Sequence, residues 1–165
     1  MVSVVIPVLN EQATVGPLCR GVQQALAQPS EIVFIDDGST DATWEELTRL
    51  HQPGRVRAVR FDRNYGKTAA LAAGFAAARG DIILTMDGDL QDDPAEIPRF
   101  LEAMERGYDV VSGWKKVRHD PPGKVAASRL FNFVVALVSG VRLQDRKSTR
   151  LNSSHIQKSR MPSSA

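Results

Sequence analysis

The 165-residue sequence contains one cysteine, Cys19. No internal disulfide can form, which fits a reducing compartment. Cys19 lies among Val15, Leu18 and Val22 at helical spacing and is expected in the core. No stretch reaches the roughly 18 apolar residues of a membrane span. The amino terminus runs directly into a strand-like segment with no charged region leading an apolar one, so no secretory leader is expected. A G-x-G-x-x-G turn and a G-x-x-x-x-G-K loop are both missing, which excludes dinucleotide-binding and P-loop readings. Negative charge is missing from the last stretch: residues 146–165 carry five Lys/Arg and no Asp/Glu. The whole-chain charge of +2 is therefore misleading, because residues 1–145 carry 16 basic against 19 acidic side chains, a net of −3. The basic pI of 8.9 rests on the tail, and no nucleic-acid partner is expected.

What remains is an ordinary globular composition, 42% hydrophobic and 24% charged, at a length that suits one domain with a sizeable core. That domain is placed at 1–145. From Arg146 onward the chain is rich in Ser, Lys and Arg and has no periodicity. Asp145 to His155 resembles one reading frame of a common sequencing-library adapter. Residues 146–165 are thus expected to be a non-native, disordered tail, with a natural basic tail as the alternative.

Along the domain, Val2 to Val8 reads as a buried strand, and Val15, Leu18, Cys19, Val22 and Leu26 give an amphipathic helix to about Ala27. Ile32 to Ile35 is a second buried strand, closed by Asp36-Asp37-Gly38-Ser39. Asp41 can cap a helix that turns Trp44 and Leu47 inward. Arg55 to Phe61 alternates as a strand with one wetter face. Asn64-Tyr65-Gly66-Lys67 opens an Ala-rich helix to Arg79, in which Gly74 marks close approach to the sheet. Ile82 to Thr85 is a further buried strand. Asp93-Pro94-Ala95-Glu96 reads as a capping box for a helix burying Ile97, Phe100, Leu101 and Met104, ended by Gly107. Tyr108 to Ser112 is another strand. This alternation predicts an α/β fold of three layers around a mostly parallel sheet. Beyond Gly113, residues 114–123 read as a basic loop. Leu130 to Val138 is a short apolar helix that either lies in a membrane interface, supported by Lys124 and Arg129, or packs on the sheet.

Three polar clusters fall at the carboxyl ends of strand-like runs: Asn10-Glu11, Asp36-Asp37 and Asp87-Gly88-Asp89. In a parallel sheet those ends share one edge, where ligands bind. Asp87 and Asp89 offer hard oxygen donors suited to Mg²⁺ or Mn²⁺, ions that share their coordination with substrate phosphates. Gly88 allows close backbone approach. Lys67 reads equally as a phosphate ligand or a solvated first-turn lysine. Asp92 and Asp93 read as turn and cap residues, and His51 and His119 receive no role.

Ile6-Pro7-Val8-Leu9-Asn10-Glu11, Asp36 to Asp41, Arg63 to Lys67 and Asp87 to Pro94 together resemble a family 2 glycosyltransferase of GT-A fold. Val111 to Lys115 and Ser139 to Leu143 bring the likeness closer to polyprenyl- and dolichyl-phosphate sugar transferases. The resemblance implies that Pro7, Glu11 and Asp37 hold a nucleotide-diphosphate sugar, with Asp36 a weaker candidate; Lys67 is counted as a further nucleotide-sugar-binding candidate on its own position at the helix start. The resemblance places Asp87, Asp89 and Gln91 around a divalent metal and the diphosphate, and Lys115 near the phosphates, with Asp89 and Lys115 as the catalytic pair. It implies inverting transfer to a polyprenyl phosphate at the cytoplasmic face of a membrane. Relatives continue after the Leu-x-Asp segment with a Cys-Gly-Phe-Lys-like stretch that helps form the acceptor side. Here Leu143-Gln144-Asp145 leads into the adapter-like tail instead. Two alternatives stay open: a truncated fragment that binds a nucleotide-sugar without turnover, and a haloacid-dehalogenase-type phosphatase built on Asp87 and Asp89.

Overall fold

The computed structural model describes residues 1–113 together with the backbone of residues 155–158. Lys115, the basic loop 114–123, the apolar segment 130–138 and most of the expected tail lie outside the described residues. The elements are β1 (Val2–Val8), α1 (Val15–Ala25), β2 (Ser30–Asp36), α2 (Thr43–Leu50), β3 (Val56–Arg60), α3 (Lys67–Ala77), β4 (Ile82–Thr85), a 3₁₀ turn (Pro94–Glu96), α4 (Ile97–Glu105), β5 (Val110–Ser112) and β6 (His155–Lys158).

The sheet runs β3-β2-β1-β4-β6-β5. β3, β2, β1 and β4 are mutually parallel, with Val4 of β1 opposite Ile32 on one side and Leu84 on the other. The strand order reverses between β1 and β4, and crevices for ligands open at such a reversal, beyond the carboxyl ends. β6 lies antiparallel between β4 and β5. It falls within 146–165, so four residues of the stretch expected to be disordered pair as a strand.

β1 and β2 read as near-continuous apolar runs because both sheet faces are covered. Val4, Ile6, Val8, Ile32, Phe34 and Leu84 pack with Leu18, Cys19 and Val22 of α1, Leu47 of α2, and Ile97 and Met104 of α4. Val5, Val33, Ile35 and Ile83 pack on the other face with Ala70 of α3, flanked by Leu71 and Phe75. The three layers are as expected. Cys19 is buried, and desolvation raises its thiol pKa above the ordinary value, which suits a core residue. α3 lies so close to the sheet that a Cβ on Gly74 would stand 2.3 Å from Val5 Cγ1.

Element ends moved where tertiary bonds claimed the backbone. α3 stops at Ala77 rather than Arg79 because the Arg79 amide donates to Glu31 Oε1 at 2.7 Å and the Gly80 amide to Ser3 Oγ at 2.8 Å. α1 stops at Ala25, after which Leu26 turns to extended backbone with its side chain buried. The expected capping box splits: Asp93 caps the 3₁₀ turn by accepting from the Ala95 amide, and α4 starts only at Ile97. Asp41 stands one residue before the α2 cap position but still accepts from the Thr43 amide.

Candidate active site

The loops that follow β1, β2 and β4 and the start of α3 meet in a closed ring of contacts at the carboxyl edge of the sheet. Each joint is made by a different residue chemistry.

The β1 and β2 loops are stitched by small polar side chains. Asn10 takes a left-handed backbone (φ 56), which Asn tolerates better than most residues. Its amide donates to Ser39 Oγ, and its Oδ1 accepts from the Thr40 amide, both at 2.9 Å. The Glu11 amide donates to Thr43 Oγ1 at 2.8 Å, and Thr14 Oγ1 donates to Glu11 Oε2 at 2.8 Å. Asp37 then ties the β2 loop to the start of α3: its two carboxylate oxygens accept from the Tyr65 amide at 2.8 Å and the Gly66 amide at 2.9 Å. Gly38 lies against the Arg63–Asn64 backbone, where a Cβ would be 2.4 Å from Arg63 C. The start of α3 reaches the β4 turn through Lys67 Nζ, 2.5 Å from Asp87 Oδ1. The β4 turn closes the ring on β1, since a Cβ at Gly88 would stand 2.8 Å from Val8 Cγ1, 3.4 Å from Pro7 O and 3.6 Å from Glu11 Cγ.

The three acidic clusters therefore share one rim. Asp87, Asp89, Pro7 and Glu11 are partly exposed there, and Gln91 is exposed. Asp89 Oδ1 accepts from the Gln91 amide at 3.0 Å, closing the turn over Leu90, whose φ is 59. It is thus the Gln91 backbone that is tied to Asp89. Asp36 is placed differently. It is fully buried, its Oδ1 accepts from the Ser39 amide, and its Oδ2 faces Arg60 Nε at 3.5 Å with no hydrogen-bond donor among the described residues. Arg60 in turn lies over the Trp44 ring, 5.3 Å from its centroid. Asp36 shapes the loop from beneath; Asp37 is buried as well, with both oxygens turned to the backbone at the start of α3.

Among the described residues, no group of three or more His, Cys, Asp or Glu side chains is arranged to hold a metal ion. Two carboxylates on one turn still fit such an ion, because Mg²⁺ and Mn²⁺ are commonly held by one or two carboxylates, with phosphates and water completing the shell. The Lys67 ammonium on Asp87 Oδ1 shows that this oxygen already attracts a cation.

Comparison with known proteins bears directly on this rim. The profile of Glycosyl transferase family 2 matches residues 3–160. The chain belongs to that family. It is 42% identical over 150 residues to an undecaprenyl-phosphate 4-deoxy-4-formamido-L-arabinose transferase of Aeromonas hydrophila, covering 88% of this chain and 46% of that protein. The enzyme of the same name from Pseudomonas aeruginosa is 43% identical, covering 88% of this chain and 44% of that protein. The chain thus spans about half the length of these relatives. Among solved structures, a glucosyl-3-phosphoglycerate synthase of Mycobacterium tuberculosis with Mn²⁺, UDP and phosphoglyceric acid superposes with a TM-score of 0.73 at 22% identity, covering 96% of this chain and 55% of that one. A mannosyltransferase of Pyrobaculum calidifontis with GDP-Man and Mn²⁺ gives 0.63 at 23% identity, covering 70% and 35%. These likenesses establish the GT-A fold, and family membership removes the phosphatase reading.

The joints of the family 2 rim escaped sequence reasoning more than its acids did. From the sequence, Ser39, Thr40, Thr43 and Thr14 receive no role of their own, yet they hold Asn10 and Glu11 in place. The available signal was Asn10 directly after a strand end, where a left-handed residue is needed to turn the chain back over the sheet.

Proposed function

We propose that this domain transfers a sugar from a nucleoside-diphosphate sugar to a polyprenyl phosphate, with inversion, at a membrane surface. The closed ring at the switch point between β1 and β4 carries the reading, because it sets the Asp87–Asp89 turn beside Pro7 and Glu11 and one loop away from Asp37. The relatives' names support a polyprenyl-phosphate acceptor, and the Mn²⁺ in the solved GT-A structures supports a divalent ion, Mg²⁺ or Mn²⁺.

In this reading Pro7, Glu11 and Asp37 line the nucleotide end, with Asp37 able to accept from a nucleobase ring N–H beside its backbone bonds. Asp87 and Asp89, with Gln91 adjacent, hold the ion and face the diphosphate. The bound ion supplies charge stabilisation for the departing nucleoside diphosphate. A lipid monophosphate has a second pKa near ~6 and arrives largely ionised, so it attacks the anomeric carbon without a strong protein base. What the protein must do is hold two anionic phosphates close together. Lys67, the first residue of α3, would help in this, and Lys115 is proposed for the same task.

The test is release of nucleoside diphosphate from UDP- and GDP-sugars, with and without a polyprenyl phosphate and Mn²⁺. Release that needs both the lipid phosphate and the ion supports the reading. Release to water alone, unaffected by the lipid, contradicts the acceptor. Binding of a nucleotide-sugar with no release under any condition would favour a binding module over an enzyme.

A further inference from the structure

We propose that Lys67 is the resident counter-ion of the Asp87–Asp89 turn: it holds Asp87 in place before a ligand arrives, yields that oxygen to the divalent ion, and moves to the diphosphate. The proposal rests on the metal–diphosphate reading above and assigns Lys67 a positioning role within it.

The base of Lys67 is fixed. Gly66 adopts φ 90, and its amide is held by Asp37 Oδ2, so the first residue of α3 starts from an anchored point. From there the ammonium lies 2.5 Å from Asp87 Oδ1. The turn itself cannot relax away from its own charge, because Gly88 is packed against Val8, Pro7 and Glu11. Two carboxylates held two residues apart repel each other, and one ammonium leaves the trio with a single net negative charge. A divalent ion added together with the two negative charges of a sugar-nucleotide diphosphate restores that same balance.

Chemistry favours lysine for a handover. Its ammonium is a compact point charge on a flexible four-carbon stem, and one carboxylate oxygen does not lock it as a bidentate fork would. The side chain is 41% exposed against 18% for Asp87, so it can leave the carboxylate without opening the core. A neighbouring phosphate oxygen gives it a charge-assisted bond in exchange.

The handover predicts effects of opposite sign. Mn²⁺ alone would be titrated into the wild type and Lys67→Met with free ion read by electron paramagnetic resonance, followed by UDP and GDP at saturating Mn²⁺. Removing the competing cation should tighten Mn²⁺ binding about 3–5-fold, the size of a partly exposed ion pair. The same change should weaken nucleoside-diphosphate binding about tenfold, as loss of a charge-assisted phosphate contact requires. Lys67→Arg should restore nucleotide affinity to within about threefold, since Arg also binds phosphate. Equal Mn²⁺ affinity in wild type and Lys67→Met, including no binding by either, overturns the proposal, as do changes of the same sign. A wild type that binds neither nucleotide at any Mn²⁺ concentration overturns the site reading as well, and the two failures are thereby told apart.

Discussion

Asp37 and Asp89 sit at the same rim but fail differently when altered, because their carboxylates accept from the backbone in different ways. Asp37 uses both oxygens, one on the Tyr65 amide and one on the Gly66 amide. Asp37→Ala strands two part-buried donors, each costing about 1–3 kcal/mol when left unsatisfied, less whatever water recovers. A loss of about 2–3 kcal/mol in chemical denaturation is expected, together with loss of nucleotide binding. Asp89 uses one oxygen, on the Gln91 amide. An asparagine keeps an Oδ1 acceptor there, so Asp89→Asn should leave the thermal midpoint within a degree or two while removing Mn²⁺-dependent nucleotide binding. A matched fall in stability for Asp89→Asn would show that the carboxylate is structural instead.

Glu31 is a third acid, at the opposite edge of the sheet, and was not legible as a site residue because it has no role at the rim. It accepts from Ser3 Oγ, the Arg79 amide and the Arg57 guanidinium, which also donates to Ala77 O. Burial alone would raise its pKa, but these donors outweigh burial and hold the carboxyl below its ordinary 4.5. The folded value lies below the unfolded one. The stabilisation is therefore complete above the ordinary carboxylate range and is lost as pH falls through the depressed folded value. Glu31→Gln should cost about 2–3 kcal/mol at pH 7, since hydrogen bonds to a charged group are weakened. In thermal melts the gap between wild type and variant should begin to narrow as pH falls below 4.5 and close only below the depressed folded value; a gap independent of pH would show that the charge is not what stabilises the fold here.

At the scale of elements, α3 shows two effects in competition. Alanine at a helix-interior glycine favours the helix by about 1 kcal/mol. At Gly74 the added Cβ would fall 2.3 Å from Val5 Cγ1 and 3.3 Å from Ile35 Cγ1, and such overpacking costs about 1–3 kcal/mol or more. The clash wins, and Gly74→Ala should lower the thermal midpoint. Because α3 also carries Lys67, the same variant should weaken nucleotide binding. Sequence periodicity located α3, and Gly74 alone in an Ala-rich run signalled its close approach. The ends of α1 and α3 were less legible, because they are set by Leu26 tucking inward and by Glu31 and Ser3 capturing amides nearly 50 and 80 residues away in sequence. Nothing in a local pattern encodes such partners. β6 was illegible for a related reason: a strand between β4 and β5 is chosen by the open edges it fills, and His155–Lys158 carries no apolar alternation to announce it.

For the whole domain, the acids could be read from sequence because strand ends in a parallel sheet must share an edge. The polar joints that bring them into register could not, since a serine or threonine in a turn has many local uses. Four segments between residues 7 and 91 form one rim, proposed above to bind the sugar-nucleotide donor. The most direct test is calorimetric titration of UDP and GDP into wild type and Asp89→Asn, with Mn²⁺ and with the ion chelated. At least one nucleotide should bind the wild type with Mn²⁺, chelation should abolish binding, and Asp89→Asn should abolish it without unfolding the protein. Failure of both nucleotides to bind a folded wild type, or binding indifferent to Mn²⁺ and to Asp89, would contradict a metal-dependent nucleotide site at this rim.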